Sequence, residues 1–204
     1  MPQSPTQVRI IERAIPLFAR HGYEGVSVDT IVKAADINKA TLYYHYRGKK
    51  ALFEAVLRYN FSALIEKLQK RVEAEQDPAM QLLGYIEVML ERKRVQVELM
   101  SRELLGGGRN IPKDAFDLMR RLADILVGII RRGMEEGRFV QVDPFMILNV
   151  LIGATNNYII GAPLRQKFLE NRPQAGTHTC PEYDTETYAR TLHSMLLSVL
   201  ERAA

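Results

Sequence analysis

The chain has 204 residues, of which 47% are hydrophobic and 25% are charged, and it contains one cysteine. This composition is ordinary for a globular protein that is long enough to bury a substantial core. A single cysteine excludes an internal disulfide framework. Because the N-terminus also lacks the apolar segment of a signal peptide, we expect a cytoplasmic protein.

The whole net charge of +4 lies in the first quarter of the chain. Residues 1–50 contain eight lysines and arginines against four acids, whereas residues 51–204 contain equal numbers of each sign. A basic segment joined to a neutral body is typical of a nucleic-acid-binding domain with a partner domain, although charge is sometimes uneven without function. We therefore predict two domains, residues 1–50 and residues 51–204.

Three short helices are predicted in the basic segment. Apolar residues spaced by three and four predict an amphipathic helix over residues 5–21, ended by Gly22. Ser27 and Asn38 then stand at the N-caps of two helices of about two turns each. Each cap is flanked by an apolar pair at the staple positions. Two capped helices joined by a tight turn predict a helix-turn-helix.

The outward face of the second motif helix suits a polyanion. Leu42 and Tyr46 point to the core, which leaves a polar and small-residue set outside: Lys39, Ala40, Thr41, Tyr43 and Tyr44. Hydroxyl groups and an ammonium group donate to phosphates, and a small residue permits close approach to a groove. Asp29 has two interpretations, an acceptor for a cytosine amino group or a favourable charge at a helix N-terminus.

Lys49 and Lys50 open the fourth predicted helix, where cations are disfavoured. A phosphate bound by Lys49 and by the free backbone N–H groups of the first turn would remove this conflict. His45, between two tyrosines, either touches a phosphate or packs against its neighbours.

The segment from Ile10 to Leu57 resembles the DNA-binding domain of TetR-type bacterial transcriptional regulators. The resemblance rests on A-x-x-L-F-A-R-H-G-Y-E-G-V-S-V-D-T-I, N-K-A-T-L-Y-Y-H-Y and G-K-K-A-L-F. It implies a homodimeric regulator with a helical ligand-binding and dimerisation domain. Asp36 stands where the family usually has glycine in a left-handed conformation, which Asp tolerates better than most residues. Phosphate contacts are assigned to Ser27, Tyr43, His45 and Lys49, and base contacts to Lys39, Ala40, Thr41 and Tyr44.

From residue 49 onward the pattern predicts helices throughout, so the expected fold is all-α with about nine helices. Asp143-Pro144 begins a helix that is apolar on nearly all sides. It is interpreted either as a helix buried on several sides or as a transmembrane span. Three asparagines and the lack of an aromatic belt argue against the membrane. This helix and the last one, from about Thr185, have broad apolar faces. They suggest a four-helix bundle with a second copy, or packing within one chain.

The remaining sites are less specific. Six residues are candidates to line an effector pocket: Tyr85, Met89, Met100, Phe116, Met119 and Asn156. Packing in the core is the alternative for each of them. The body has no cluster of like charge, which favours a neutral or lipophilic effector. His178 and Cys180, with Glu182 or Asp184 nearby, have poor spacing for a metal site, so neither a metal nor a cofactor is predicted.

The leading hypothesis is a dimeric repressor that binds a palindromic DNA operator and is released by a small molecule. An enzyme is not expected, because the sequence contains no nucleophile elbow, phosphate loop or metal-ligand set. The alternative is a structural DNA-binding protein that responds to no ligand and acts through a protein partner.

Overall fold

The computed structural model describes residues 4–170 and 184–201, except for the side chain of Leu169, and all regular elements in these ranges are helices. The helices are α1 (Pro5–His21), α2 (Val28–Ala35), α3 (Lys39–His45), α4 (Lys49–Glu73), α5 (Pro78–Leu90), α6 (Arg94–Leu105), α7 (Lys113–Glu135), α8 (Pro144–Ile160), α9 (Ala162–Glu170) and α10 (Thr185–Leu200). The predicted all-α class is confirmed, and the described ranges contain ten helices where about nine were expected.

The chain divides into two units by its internal contacts. The first unit runs to Ile65 and includes Lys93–Leu122, and the second comprises Glu66–Arg92 and the chain from Ala123 onward. The helices α4 and α7 therefore belong in part to each unit. This division groups residues by packing. The boundary predicted at residue 50 instead separates a DNA-binding domain from a ligand-binding and dimerisation domain, and that boundary stays a prediction.

Local capping sets both ends of α1 and the start of α2. Ser4 and Gln7 form a reciprocal capping box at the start of α1, and Gly22 ends this helix with a φ of 71°. The hydroxyl of Ser27 accepts from the backbone N–H of Thr30 at 3.1 Å and thereby caps α2. Both helix ends of α1 and the start of α2 are as the sequence predicts.

The core of the first unit is aromatic and aliphatic. The rings of Phe18 and Phe53 meet edge to face at 4.9 Å, and Tyr23 lies 5.0 Å from Phe53. The helix α6 packs on α1. Arg102 of α6 fixes this contact, because its Nε donates to the carbonyl of Ala19 and its Nη2 to that of Arg20, each at 3.0 Å. These carbonyls belong to the last turn of α1, whose partial negative charge favours a cation.

In the second unit, α5 packs against α8 and α10. Buried Gln81 donates from Nε2 to the carbonyls of Val72 and Glu75, at 2.9 and 2.8 Å, and so satisfies acceptors at the end of α4. The hydroxyl of Tyr188 on α10 donates to the carbonyl of Ala154 on α8 at 3.1 Å. The three helices are therefore joined by apolar packing and by polar contacts to the backbone.

The helix α8 begins as predicted, with Asp143 at the N-cap and Pro144 in the first turn. One of its faces is buried, and the opposite face exposes Phe145, Met146 and Val150. Within the described ranges no single helix has both the length and the apolar character to cross a membrane. The bent pair of α8 and the first part of α9, with an angle of 63° between them, meets those criteria jointly.

The residues weighed as metal ligands fall largely outside the described ranges. This applies to His178, Cys180 and Glu182. Asp184 is described, and its side chain caps α10 by accepting from the backbone N–H of Thr187 at 2.7 Å. That hydrogen bond is also the main cause of the lowered pKa of the Asp184 carboxyl.

Candidate nucleic-acid interface

The inner side of the α2–α3 pair holds the motif in place. Ile31 and Leu42 are fully buried, as expected for the residues predicted to form hydrophobic staples with Val26 and Ile37. Tyr46, just after α3, is also buried, and its hydroxyl donates to the carbonyl of Gln7 on α1 at 3.3 Å. Burial raises the pKa of the Tyr46 phenol to about 12. These contacts anchor the last turn of α3 to the first helix.

The opposite side of α3 is open. Tyr44 is 85% exposed and Tyr43 is 53% exposed. Lys39 and Ala40, in the first turn, are exposed as well, and Thr41 is half-buried. Neighbouring exposed aromatic side chains on one short helix are typical of a binding surface. All of the residues predicted to read bases therefore lie on one short helix.

Asn38 positions this helix through two hydrogen bonds. Its Oδ1 accepts from the backbone N–H of Thr41 at 2.7 Å and from the Thr41 hydroxyl at 2.9 Å. Because the hydroxyl proton is directed at Asn38, the oxygen lone pairs of Thr41 remain as acceptors. A hydroxyl oxygen with free lone pairs is the kind of acceptor that pairs with the amino group of adenine or cytosine.

Lys39 and Asp29 form an ion pair across the motif, with 2.7 Å between Nζ and Oδ1. The hydrogen bond to Asp29 raises the pKa of the Lys39 ammonium. Sequence reasoning treated the two residues separately and missed this contact, which joins α2 to the first turn of α3. Both side chains are more than half exposed, and exposed ion pairs contribute little to stability. The pair can therefore open for a base or a phosphate at small cost.

Lys49 is held by Tyr23. Its Nζ donates to the Tyr23 carbonyl at 3.0 Å and lies 4.3 Å above the centre of the Tyr23 ring. A cation is unfavourable at the start of α4, and the sequence predicted that a bound phosphate offsets this cost. In the structure the contacts with Tyr23 stabilise the Lys49 ammonium group instead. An ammonium group has three donors, so Lys49 keeps donors for a phosphate while its position is fixed.

The other two predicted phosphate contacts lie at the margins of this surface. The Ser27 hydroxyl is exposed at the start of α2 and shares a hydrogen bond of 2.9 Å with the hydroxyl of Thr30. His45 is half-buried at the end of α3, and its ring meets that of Tyr44 edge to face at 5.0 Å. His45 thus packs against an exposed tyrosine and orients it.

The six predicted pocket residues are divided between the two units. Met100, Phe116 and Met119 belong to the first unit, where Phe116 is 49% exposed. Tyr85, Met89 and Asn156 belong to the second, where Tyr85 and Met89 are buried on α5. Burial also raises the pKa of the Tyr85 phenol. Asn156 lies on α8, and its Oδ1 accepts from Nη2 of Arg92 at 2.8 Å.

A cavity of about 470 Å³ in the second unit is lined by other residues, from α4, α5, α7 and the segment after α4. Its lining includes the charged residues Glu73, Asp124 and Arg132, and none of the six predicted residues contributes to it. The described residues contain no group of three His, Cys, Asp or Glu side chains arranged to hold a metal ion.

Family models match both parts of the chain. Residues 10–56 match the model described as bacterial regulatory proteins of the tetR family. Residues 60–179 match the model described as the C-terminal region of YcdC-like protein. The second match alone covers more than half of the chain, and the first covers all of α2 and α3.

Two curated relatives are similar over different lengths. The chain is 43% identical over 56 residues to IcaR of Staphylococcus aureus (strain Newman), a negative transcriptional regulator of the biofilm operon icaADBC. This match covers 28% of the chain and 30% of IcaR, so the chain matches less than a third of that relative. It is 25% identical over 157 residues to the transcriptional regulator RutR of Escherichia coli (strain K12), which covers 76% of the chain and 74% of RutR.

The fold is also similar to that of a solved regulator. The transcriptional regulator FadR from Bacillus subtilis, solved in complex with stearoyl-CoA, superposes with a TM-score of 0.72 at 16% identity. The superposition covers 94% of this chain and 98% of that one. At this identity the likeness shows a common fold.

Proposed function

Because the chain belongs to the TetR family of bacterial transcriptional regulators, we propose that it is a repressor that binds a palindromic operator as a homodimer. Members of the family are DNA-binding regulators, in agreement with the expectation that the chain is not an enzyme. The observation that carries the proposal is the open face of α3, where Tyr43 and Tyr44 stand in water next to Lys39.

In this proposal α3 enters the major groove of DNA. Lys39, Ala40, Thr41 and Tyr44 read base edges, with Ala40 or Tyr44 against a thymine methyl group. Ser27, Tyr43, His45 and Lys49 contact phosphates on either side and set the register of the helix. The tether of Lys49 to Tyr23 supports this assignment, because a fixed ammonium loses little entropy when it meets a phosphate.

Dimerisation is proposed through α8 and α10. Phe145, Met146 and Val150 on α8 are more than half exposed, and so are Met195 and Val199 on α10. Exposed apolar residues repeated along two helices are typical of a protein interface. A symmetric dimer would present two copies of α3 to two half-sites, which is why the operator is expected to be an inverted repeat.

Release by a small lipophilic effector completes the proposal. A ligand that prefers one spacing of the two DNA-binding heads shifts the population toward it, and a spacing that does not fit the half-sites releases DNA. The described relative IcaR is a negative regulator, which supports repression. FadR, which has a similar fold, was solved in complex with stearoyl-CoA, and this supports an effector with an apolar chain.

The assignment of DNA contacts is tested with variants in the open surface of α3 and at the start of α4. Tyr43→Phe and Lys49→Ala are expected to weaken binding to all sequences, and Lys49→Ala reduces the salt dependence by about one phosphate contact. Substitutions at Lys39 or Thr41 should instead change sequence preference. Fluorescence anisotropy on operator and scrambled duplexes separates the two effects. Normal operator binding by a variant with Ala at both Tyr43 and Lys49 would refute the assignment.

A further inference from the structure

Arg92 is a partly buried cation for which the described residues supply no counter-charge. It follows the end of α5, and burial lowers the pKa of its guanidinium to about 10. Arg92 takes part in none of the ion pairs found among the described residues. The two nearest acids in the chain are used elsewhere, because Glu87 pairs with Arg71 and Glu91 with Lys67.

Neutral acceptors hold the guanidinium in a fixed orientation. Nε donates to the carbonyl of Met89 at 2.6 Å. Nη2 donates to Oδ1 of Asn156 at 2.8 Å and to the hydroxyl oxygen of Thr155 at 3.1 Å. Thr155 is fully buried, and its own proton goes to the carbonyl of Leu151 at 2.9 Å, so its oxygen acts as an acceptor for Arg92. Both hydrogens of Nη2 are therefore occupied.

The second amino group of the guanidinium, Nη1, has no acceptor among the described residues. In these residues, the side-chain nitrogen and oxygen atoms that are both buried and unpartnered belong to Glu103, Arg132 and Glu201. Since Nη1 of Arg92 is not one of them, it is not fully buried. A charged, oriented donor that is not fully buried, beside two mostly apolar helices, is suited to bind an anion.

We propose that Arg92 binds the carboxylate of the effector, which is a small organic acid with an apolar body. The proposal rests on the proposed function and refines it, because the sequence had favoured a neutral or lipophilic effector. One guanidinium neutralises one negative charge, so a carboxylate fits better than a phosphate dianion, which would keep an unpaired charge. The two helices beside Arg92, α5 and α8, are mainly apolar, and this favours an apolar body.

The test uses the full-length protein and three probes that share one chain length: octanoate, octanamide and octyl phosphate. Isothermal titration calorimetry at neutral pH should show octanoate binding at least tenfold more tightly than octanamide, since hydrogen bonds to charged groups are the stronger ones. Octanoate should also bind more tightly than octyl phosphate. Arg92→Met should abolish the preference for octanoate, whereas the control Arg120→Met removes an exposed arginine and should leave it unchanged.

A second variant supplies a counter-charge within the protein. Asn156→Asp places a carboxylate beside Nη2 of Arg92, so the unliganded variant should melt at a higher temperature and bind octanoate at least tenfold more weakly. Octanoate and octanamide binding equally to the wild-type protein, or octanoate binding with unchanged affinity to Arg92→Met or Asn156→Asp, would overturn the proposal.

A separate measurement of operator release tests whether binding of the ligand at Arg92 regulates DNA binding. If octanoate binds through Arg92 but does not release DNA, Arg92 is an anion-binding site that has no role in the release of DNA. Release of DNA by octanamide as effectively as by octanoate would overturn the assignment of Arg92 while leaving the regulator intact.

Discussion

Asp36 adopts a backbone conformation that favours glycine. It is the one non-glycine residue of the described ranges with a positive φ, 51°, and it ends α2 in the left-handed region. Its carboxylate also lies at the negative end of the helix dipole. We therefore expect Asp36→Gly to raise the free energy of unfolding by about 0.5–1 kcal/mol. Urea denaturation measures the change.

The matched control at this position is Asp36→Ala, which removes the carboxylate but keeps the Cβ. It should be less stable than Asp36→Gly by about 1 kcal/mol. Equal stability of the two variants would mean that backbone strain at residue 36 is negligible.

Residue by residue, the local features were predictable and the contacts over long sequence distances were not. Ser27 and Asn38 were recognised as caps because a cap and its partner lie three residues apart. Lys49 was recognised as anomalous, but its contact with Tyr23 joins residues 26 positions apart. Arg92 was missed, since its partners on α8 lie 63 and 64 positions away. No periodicity in a single sequence encodes such pairs.

At the level of elements, α3 depends on its cap. A seven-residue helix is too short to be stable by propensity, so the hydrogen bonds to Asn38 contribute much of its order. Asn38→Ala is expected to lower the free energy of unfolding by about 1 kcal/mol and to weaken operator binding. Asn38→Asp keeps the cap and is the control for stability. Denaturation and anisotropy measured on the same samples check both expectations.

Two glycines of α7 offer a comparison within one helix. A Cβ on buried Gly133 would overlap the ring of Phe139, whereas a Cβ on exposed Gly128 would meet nothing within 4 Å. Gly133→Ala should therefore destabilise the protein by about 1–3 kcal/mol. Gly128→Ala should stabilise it by up to about 1 kcal/mol, because alanine has the higher helix propensity. Thermal melts of both variants test this packing, and a stabilised Gly133→Ala would contradict it.

The sequence predicted where helices occur more reliably than it predicted which face of each helix is buried. The apolar character of α8 was evident, but the sequence did not indicate which side faces the core. In the structure Leu148 and Leu151 are buried while Met146 and Val150 are exposed. The broad apolar pattern arises because both sides of the helix are apolar, and burial by α5 occupies one of them.

At the level of the whole molecule, the exposed sides of α8 and α10 predict self-association. Met195 on α10 is 63% exposed, so Met195→Glu should place a charge in the proposed interface and raise the dimer dissociation constant at least tenfold. The control is Leu105→Glu on α6, where the native residue is 91% exposed and lies outside the proposed interface. Sedimentation velocity over a concentration series measures both. Unchanged association of Met195→Glu would refute this interface.

Recognition of a palindromic operator by a dimer is tested by selection of bound DNA from a random pool at a stated salt concentration. We expect the selected sequences to contain an inverted repeat, and the wild-type protein to bind this repeat far more tightly than a scrambled duplex. Weak, salt-sensitive binding without sequence preference would contradict operator recognition and favour a structural DNA-binding protein.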